Sequence, residues 1–68
     1  MNVLVNGGEA SVEDDATVLD LLRSHSLVAS EEGVAVVVND AVVPRARWGE
    51  TPLAPDDRVE ILRAAAGG

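Results

Sequence analysis

Apolar residues in this chain come in short runs closed off by turn-forming residues, and their spacing changes once, from strand-like to helix-like and back. Val3-Leu4-Val5, framed by Asn2 and Asn6, predicts a first strand. Asn6-Gly7-Gly8-Glu9 follows, a hairpin signal because Asn and Gly tolerate φ > 0, and a return strand is expected over residues 9–13. Thr17 with Asp20 three positions on is a capping-box pattern that opens a helix. Acid in the first turn of that helix complements its dipole. Val18, Leu21, Leu22 and His25 then fall at i, i+3, i+4 and i+7, so one stripe of the helix should face a sheet. Residues 29–33 form a polar connection to Val34-Ala35-Val36-Val37-Val38, the strongest strand signal in the chain, rich in β-branched residues and bounded by Gly33 and Asn39-Asp40. After that turn, Val42-Val43 forms a short strand that Pro44 stops. Residues 45–57, with Trp48, Pro52 and Pro55, predict an ordered loop containing a short helical turn. Residues 58–63 close the pattern as a last strand. One helix on one face of a mixed sheet is the simplest layer arrangement, an α+β fold.

Composition narrows the functional classes. Sixty-eight residues make one domain with a thin core, since a chain this short buries only about 60% of its unfolded surface. A deep catalytic pocket is not expected. With 47% hydrophobic residues the chain is nonetheless of folded type, its apolar mass coming from Val, Leu, Ile and Ala. The absence of Cys excludes disulfides and any side-chain thiol chemistry. Five basic residues, all Arg, stand against twelve acidic ones, a net charge of -7 that disfavours nucleic acid. The near absence of aromatics removes the stacking platform of single-strand binders. Surplus acid keeps a small protein soluble, and it would also steer the chain toward a partner with a basic face. Without Lys, only the α-amine could accept an isopeptide bond. Neither a basic leader with an apolar stretch nor an apolar run of roughly 18 residues is present, so a cytoplasmic protein without membrane association is expected.

The remaining chemistry lies at the C-terminal end. Gly67-Gly68 follows the last strand and a small-residue stretch, Ala64-Ala65-Ala66. A carboxylate on an arm whose last residues lack side chains can thread a narrow enzyme channel, because glycine permits close backbone approach. A frayed terminus would have similar composition. Two terminal glycines arise by chance in about 0.5% of chains. Position alone leaves both readings open.

Val38-Asn39, Val42-Val43-Pro44-Arg45, Trp48, Asp57-Arg58-Val59-Glu60-Ile61 and the terminal Gly-Gly together resemble the ThiS-type sulfur carriers of thiamine biosynthesis, over essentially the whole chain. One departure is visible: family members commonly have Gly-Asp before the last strand, where this chain has Asp56-Asp57. The resemblance implies a ubiquitin-like β-grasp of residues 1–63, a mixed four- to five-stranded sheet with one main helix across one face, followed by a flexible reactive tail, residues 64–68. The first and last strands would lie adjacent and parallel at the centre of the sheet. It also implies that an E1-like adenylyltransferase uses ATP to adenylate the carboxylate of Gly68. Sulfur from a desulfurase-linked persulfide then replaces AMP, and thiazole synthase accepts sulfur from the resulting thiocarboxylate. Gly67 and Ala66 would thread the partner's channel. Five extended residues span about 17 Å, enough to reach into a cleft while the body docks outside.

Within a β-grasp, Val3, Val5, Val36, Val38, Val59 and Ile61 should face the helix. Leu4, Val37 and Leu62 are left on the opposite face, where a contiguous apolar patch beside the tail would be a docking surface. Trp48 is expected to anchor its loop on the core, Arg45 to bond loop carbonyls or a carboxylate, and His25 to be a favourable charge or filler near the helix end. The pairs Asp14-Asp15, Glu31-Glu32 and Asp56-Asp57 read as solvated caps, with no metal site. No nucleophile and base stand in a recognisable pattern, so the chain is expected to be a co-substrate with no bound cofactor, and not an enzyme. A carrier for molybdopterin or another sulfur-containing metabolite, or a ubiquitin-like protein modifier, are the rival readings, together with a bare interaction module whose tail is inert.

Overall fold

The computed structural model of the protein describes residues 1–25 and 33–63. Strand β1 (Asn2–Val5) reverses into β2 (Gly8–Ser11) with Val5 paired to Gly8, leaving a two-residue loop. Such a loop matches the strand twist in the type I′ geometry, which takes φ > 0 at both its residues. Asn6 stands at 49° and Gly7 at 86°. The tight turn brings β2 forward to residues 8–11, in place of the expected 9–13. The same device joins β3 (Val34–Val38) to β4 (Ala41–Val43), with Asn39 at 49°, Asp40 at 71° and Val38 opposite Ala41.

A third turn precedes β5 (Arg58–Arg63), where the Asp57 N–H donates to the Ala54 carbonyl at 3.1 Å across Pro55 and Asp56. Asp56 has φ 67°, the left-handed value that normally selects Gly after Pro in such a turn. This is the Gly-Asp position of the family pattern, and here an aspartate adopts the glycine conformation. Asp57 closes the turn, its Oδ2 accepting from the Ala54 N–H at 2.8 Å.

Helix α1 (Val18–Ser24) has seven residues, too few to persist alone in water. It is held at its start by the expected capping box: the Asp20 N–H donates to Thr17 Oγ1 at 3.3 Å and the Thr17 N–H donates to Asp20 Oδ2 at 2.9 Å. The backbone bond from Thr17, and then the bond from its hydroxyl, hold the Asp20 carboxyl below the ordinary aspartate pKa. The Val18 N–H, otherwise an orphan of the first turn, donates to the Thr51 carbonyl at 3.0 Å, and the Leu53 N–H donates to the Ala16 carbonyl at 2.9 Å. Val18, Leu21 and Leu22 are buried, whereas His25 leaves the stripe: it is the exposed C-cap, its ring Nδ1 3.1 Å from the Leu21 carbonyl. The chain runs out of helix before i+7 can turn inward.

The sheet order is β2-β1-β5-β3-β4, with β1 and β5 parallel and the other pairs antiparallel. One helix across a mixed five-stranded sheet with the first and last strands side by side is the ubiquitin-like β-grasp. Val3, Val36 and Val59 are buried beneath α1, and Val5, Val38 and Ile61 pack against the same core. Each fully buried side chain of this size contributes roughly 1.5–3 kcal/mol of transfer free energy. Trp48, in a 3-10 helix (Arg45–Glu50), and Leu53 complete the core from the loop side. Among the described residues no helix is long and apolar enough to cross a membrane.

Candidate functional site

β5 carries the chain toward residues 64–68, and it is the most heavily secured element of the sheet. β3 pairs with it along its whole length, from Val38↔Val59 to Val34↔Arg63. On the other side β1 pairs with it at Leu4↔Arg58 and Val5↔Val59. Two asparagines then bond β5 from the two hairpin turns. Asn6 Oδ1 accepts from the Ile61 N–H at 2.8 Å and its Nδ2 donates to the Ile61 carbonyl at 3.3 Å. Asn39 Oδ1 accepts from the Arg58 N–H at 2.9 Å and its Nδ2 donates to Asp57 Oδ1 at 2.9 Å. Pattern reading assigns both residues to turns and misses the second role. Gly68, Gly67 and Ala66 lie outside the described residues.

The sheet face turned away from α1 carries Leu4, Val37 and Leu62, as strand alternation requires. They do not form one contiguous patch. Leu62, 53% exposed, is opposite Ala35 and next to the last residue of β5. Val37, half-buried, lies between Glu60 on β5 and Val42 on β4. Leu4, also half-buried, sits between Glu9 and Arg58. Arg58 and Leu62 are four residues apart along one strand, about 13 Å, so Leu4 belongs to the far, charged end of the face. Arg58 itself is ion-paired with Asp40 at 3.2 Å. Val42, 70% exposed, is the large apolar side chain most open to solvent on this face. Its place was deducible: a two-residue turn at Asn39-Asp40 sets Val42 opposite Val37, on the same face.

The remaining candidates have structural work. Trp48 is 2% exposed, its indole N–H donates to the Val43 carbonyl at 2.9 Å, and the Arg45 guanidinium sits 5.2 Å over its ring. Asp14 pairs with the Met1 ammonium at 3.2 Å. An open acidic groove lined by Ser11, Glu13, Asp15, Asp20 and Ser24 runs beside the helix start. Among the described residues no group of three or more His, Cys, Asp or Glu side chains could hold a metal ion.

The described body is therefore a small ubiquitin-like β-grasp that offers a half-apolar sheet face on the side away from its helix, carried in part by the strand from which its last residues continue. The family model described as the ThiS family matches residues 3–68, and the chain belongs to that family of sulfur carriers. It is similar to the crystal structure of a thiamine biosynthesis protein (ThiS) from Geobacter metallireducens, with 34% identity, all of both chains covered and a TM-score of 0.80. It is also similar to an NMR solution structure of a thiamine biosynthesis protein from the same organism, with 31% identity, 100% of this chain and 88% of that one covered, and a TM-score of 0.78. A search of curated proteins finds no match.

Proposed function

We propose that this protein carries sulfur as a thiocarboxylate at Gly68 and delivers it for thiazole formation in thiamine biosynthesis. The observation that supports this reading best is the family match itself, which runs through residue 68 and so includes the Gly-Gly end. A carboxylate is a poor electrophile. Attack of the Gly68 carboxylate on the α-phosphate of ATP, in the site of an E1-like adenylyltransferase, releases pyrophosphate and makes an acyl-adenylate with AMP as leaving group. The terminal sulfur of a persulfide from a desulfurase system then attacks the acyl carbon and AMP departs. A second thiol attacks the donor's sulfur of this acyl disulfide and forms a new disulfide with it, a proton is released, and the acyl-bound sulfur leaves with the electron pair as the thiocarboxylate for thiazole synthase. The chain is the substrate of these steps in the cytoplasm, binds no cofactor of its own, and needs no catalytic side chain.

The two parts of the protein divide the task. Leu62, Val42 and Val37, with Leu4 at the margin, form the docking face, and residues 66–68 enter the partner's site, where exclusion of water protects the acyl-sulfur species. The net charge of -7 speeds encounter with a basic partner more than it strengthens the complex. The test is the intact mass after incubation with the adenylyltransferase, ATP and a sulfur source. An ATP-dependent gain equal to exchanging one oxygen for sulfur, absent when Gly67 and Gly68 are deleted, is expected. No gain with a demonstrably active enzyme would overturn the reading.

A further inference from the structure

β1 leaves β5 early. The parallel pairing ends at Val5↔Val59, because Asn6-Gly7 turns the chain away into β2, while β5 runs on to Arg63. A side chain continues what the backbone stops. The Asn6 N–H donates to the Val59 carbonyl at 2.9 Å, and the carboxamide then takes both polar groups of Ile61, accepting from its N–H and donating to its carbonyl. A carboxamide carries the same donor and acceptor as a peptide group, so Asn6 extends the β1 side of the ladder by one further pleat. Ile61 is the last residue but two of β5, with Leu62 and Arg63 between it and residues 64–68.

We propose that Asn6 is a positioning residue for the reaction at the C-terminus: through Ile61 it holds the end of β5, the strand from which the chain continues to Gly68. The inference rests on the sulfur-carrier reading. Reacting atoms must meet within about 3–3.5 Å, where an ångström of misplacement costs on the order of 100-fold in rate, so slack near the end of β5 is expected to be felt in the reaction at Gly68.

The molecule contains its own control. Asn39 occupies the equivalent place in the second hairpin, with the same φ of 49°, and bonds the same strand through the same carboxamide, but at Arg58, the end remote from the tail. Asn6→Gly and Asn39→Gly each keep a residue at ease with φ > 0 and each remove one clamp from β5. A purely structural role would make them equivalent.

The experiment measures kcat and KM of each carrier in ATP–pyrophosphate exchange with its adenylyltransferase, together with amide exchange at Ile61. For Asn6→Gly a fall in kcat of about tenfold is expected, with KM within about twofold of wild type and faster exchange at Ile61. Asn39→Gly should leave kcat, KM and the Ile61 amide unchanged. Asn6→Asp keeps the acceptor for the Ile61 N–H and should lie between wild type and Asn6→Gly; should Asn6→Gly not fold, unchanged kcat in Asn6→Asp overturns the proposal. Equal kcat values for the two glycine variants overturn it as well, while wild type still exchanging leaves the carrier reading intact. A wild-type protein that supports no exchange with an active enzyme overturns the carrier reading and this inference with it.

Discussion

Replacing Trp48 tests whether the one aromatic residue of this chain is a packing anchor. The indole is 2% exposed and belongs to the core that includes Val18, Leu21, Leu22 and Leu53, so Trp48→Ala leaves a cavity of most of an indole. Buried Trp→Ala substitutions cost about 3–5 kcal/mol. A 68-residue domain at 0.05–0.15 kcal/mol per residue has a total stability of roughly 3–10 kcal/mol, so the alanine variant loses from about a third to all of it. Trp48→Phe separates the contributions. It keeps a ring beneath Arg45 but gives up roughly 40 Å² of apolar contact, about 1 kcal/mol, and the hydrogen bond to the Val43 carbonyl, about another 1 kcal/mol. Urea unfolding followed by far-UV circular dichroism should therefore place Trp48→Phe about 2 M below wild type in midpoint, for a slope near 1 kcal/mol per M. The folded fraction of either variant should still be adenylated at the wild-type kcat. A Trp48→Phe midpoint within about 0.3 M of wild type would refute the energetic argument, and a folded variant that is not adenylated would refute the purely structural assignment.

The depressed pKa of Asp20 ties the capping box to acid stability. Its ionised form is favoured by folding, so its contribution is present above the unfolded value of about 3.9 and is lost as pH falls through the lower folded value. Asp20→Asn should flatten the fall in thermal midpoint as pH drops below the unfolded aspartate value, and an unchanged acid limb would contradict the assignment. Asp56→Gly relieves the φ of 67° but adds freedom to the unfolded chain, and a net gain of about 0.5 kcal/mol, or roughly 2–4 °C in Tm by calorimetry, is expected. A lowered Tm would mean that the aspartate side chain stabilises the turn. Leu62→Asp and Val42→Asp, on the exposed sheet face, should weaken binding to the adenylyltransferase by at least about tenfold in calorimetric titration without unfolding the domain. Unchanged affinity in the folded variants would move the docking surface elsewhere.

What could be read from the chain, and what could not, follows from how far apart the interacting groups are. The helix start was legible because Thr17 and Asp20 satisfy each other three residues apart, and the strands because Val, Leu and turn residues alternate over similarly short distances. The Pro-bounded loop with its helical turn was legible for the same reason. His25 was misplaced because periodicity describes an endless helix, whereas this one ends at Ser24. The apolar face was assigned to the right side of the sheet, yet its continuity depended on register: Glu60 opposite Val37 and Arg58 opposite Leu4 divide it, and neither pairing is visible until the strand order is known. Asn6 shows the limit most clearly. Its turn role is a local preference, while its bonds to Ile61 span 55 residues, and one side chain meets both demands without leaving any mark beyond the Asn-Gly signal. The chemistry proposed for the tail rests on what glycine lacks, and Gly67 and Gly68 lie outside the described residues. The strand that leads into that tail is bonded at Ile61 by a carboxamide near the other end of the chain, which is why the asparagine pair, and not the glycines, is where the two halves of the proposed function can be tested apart.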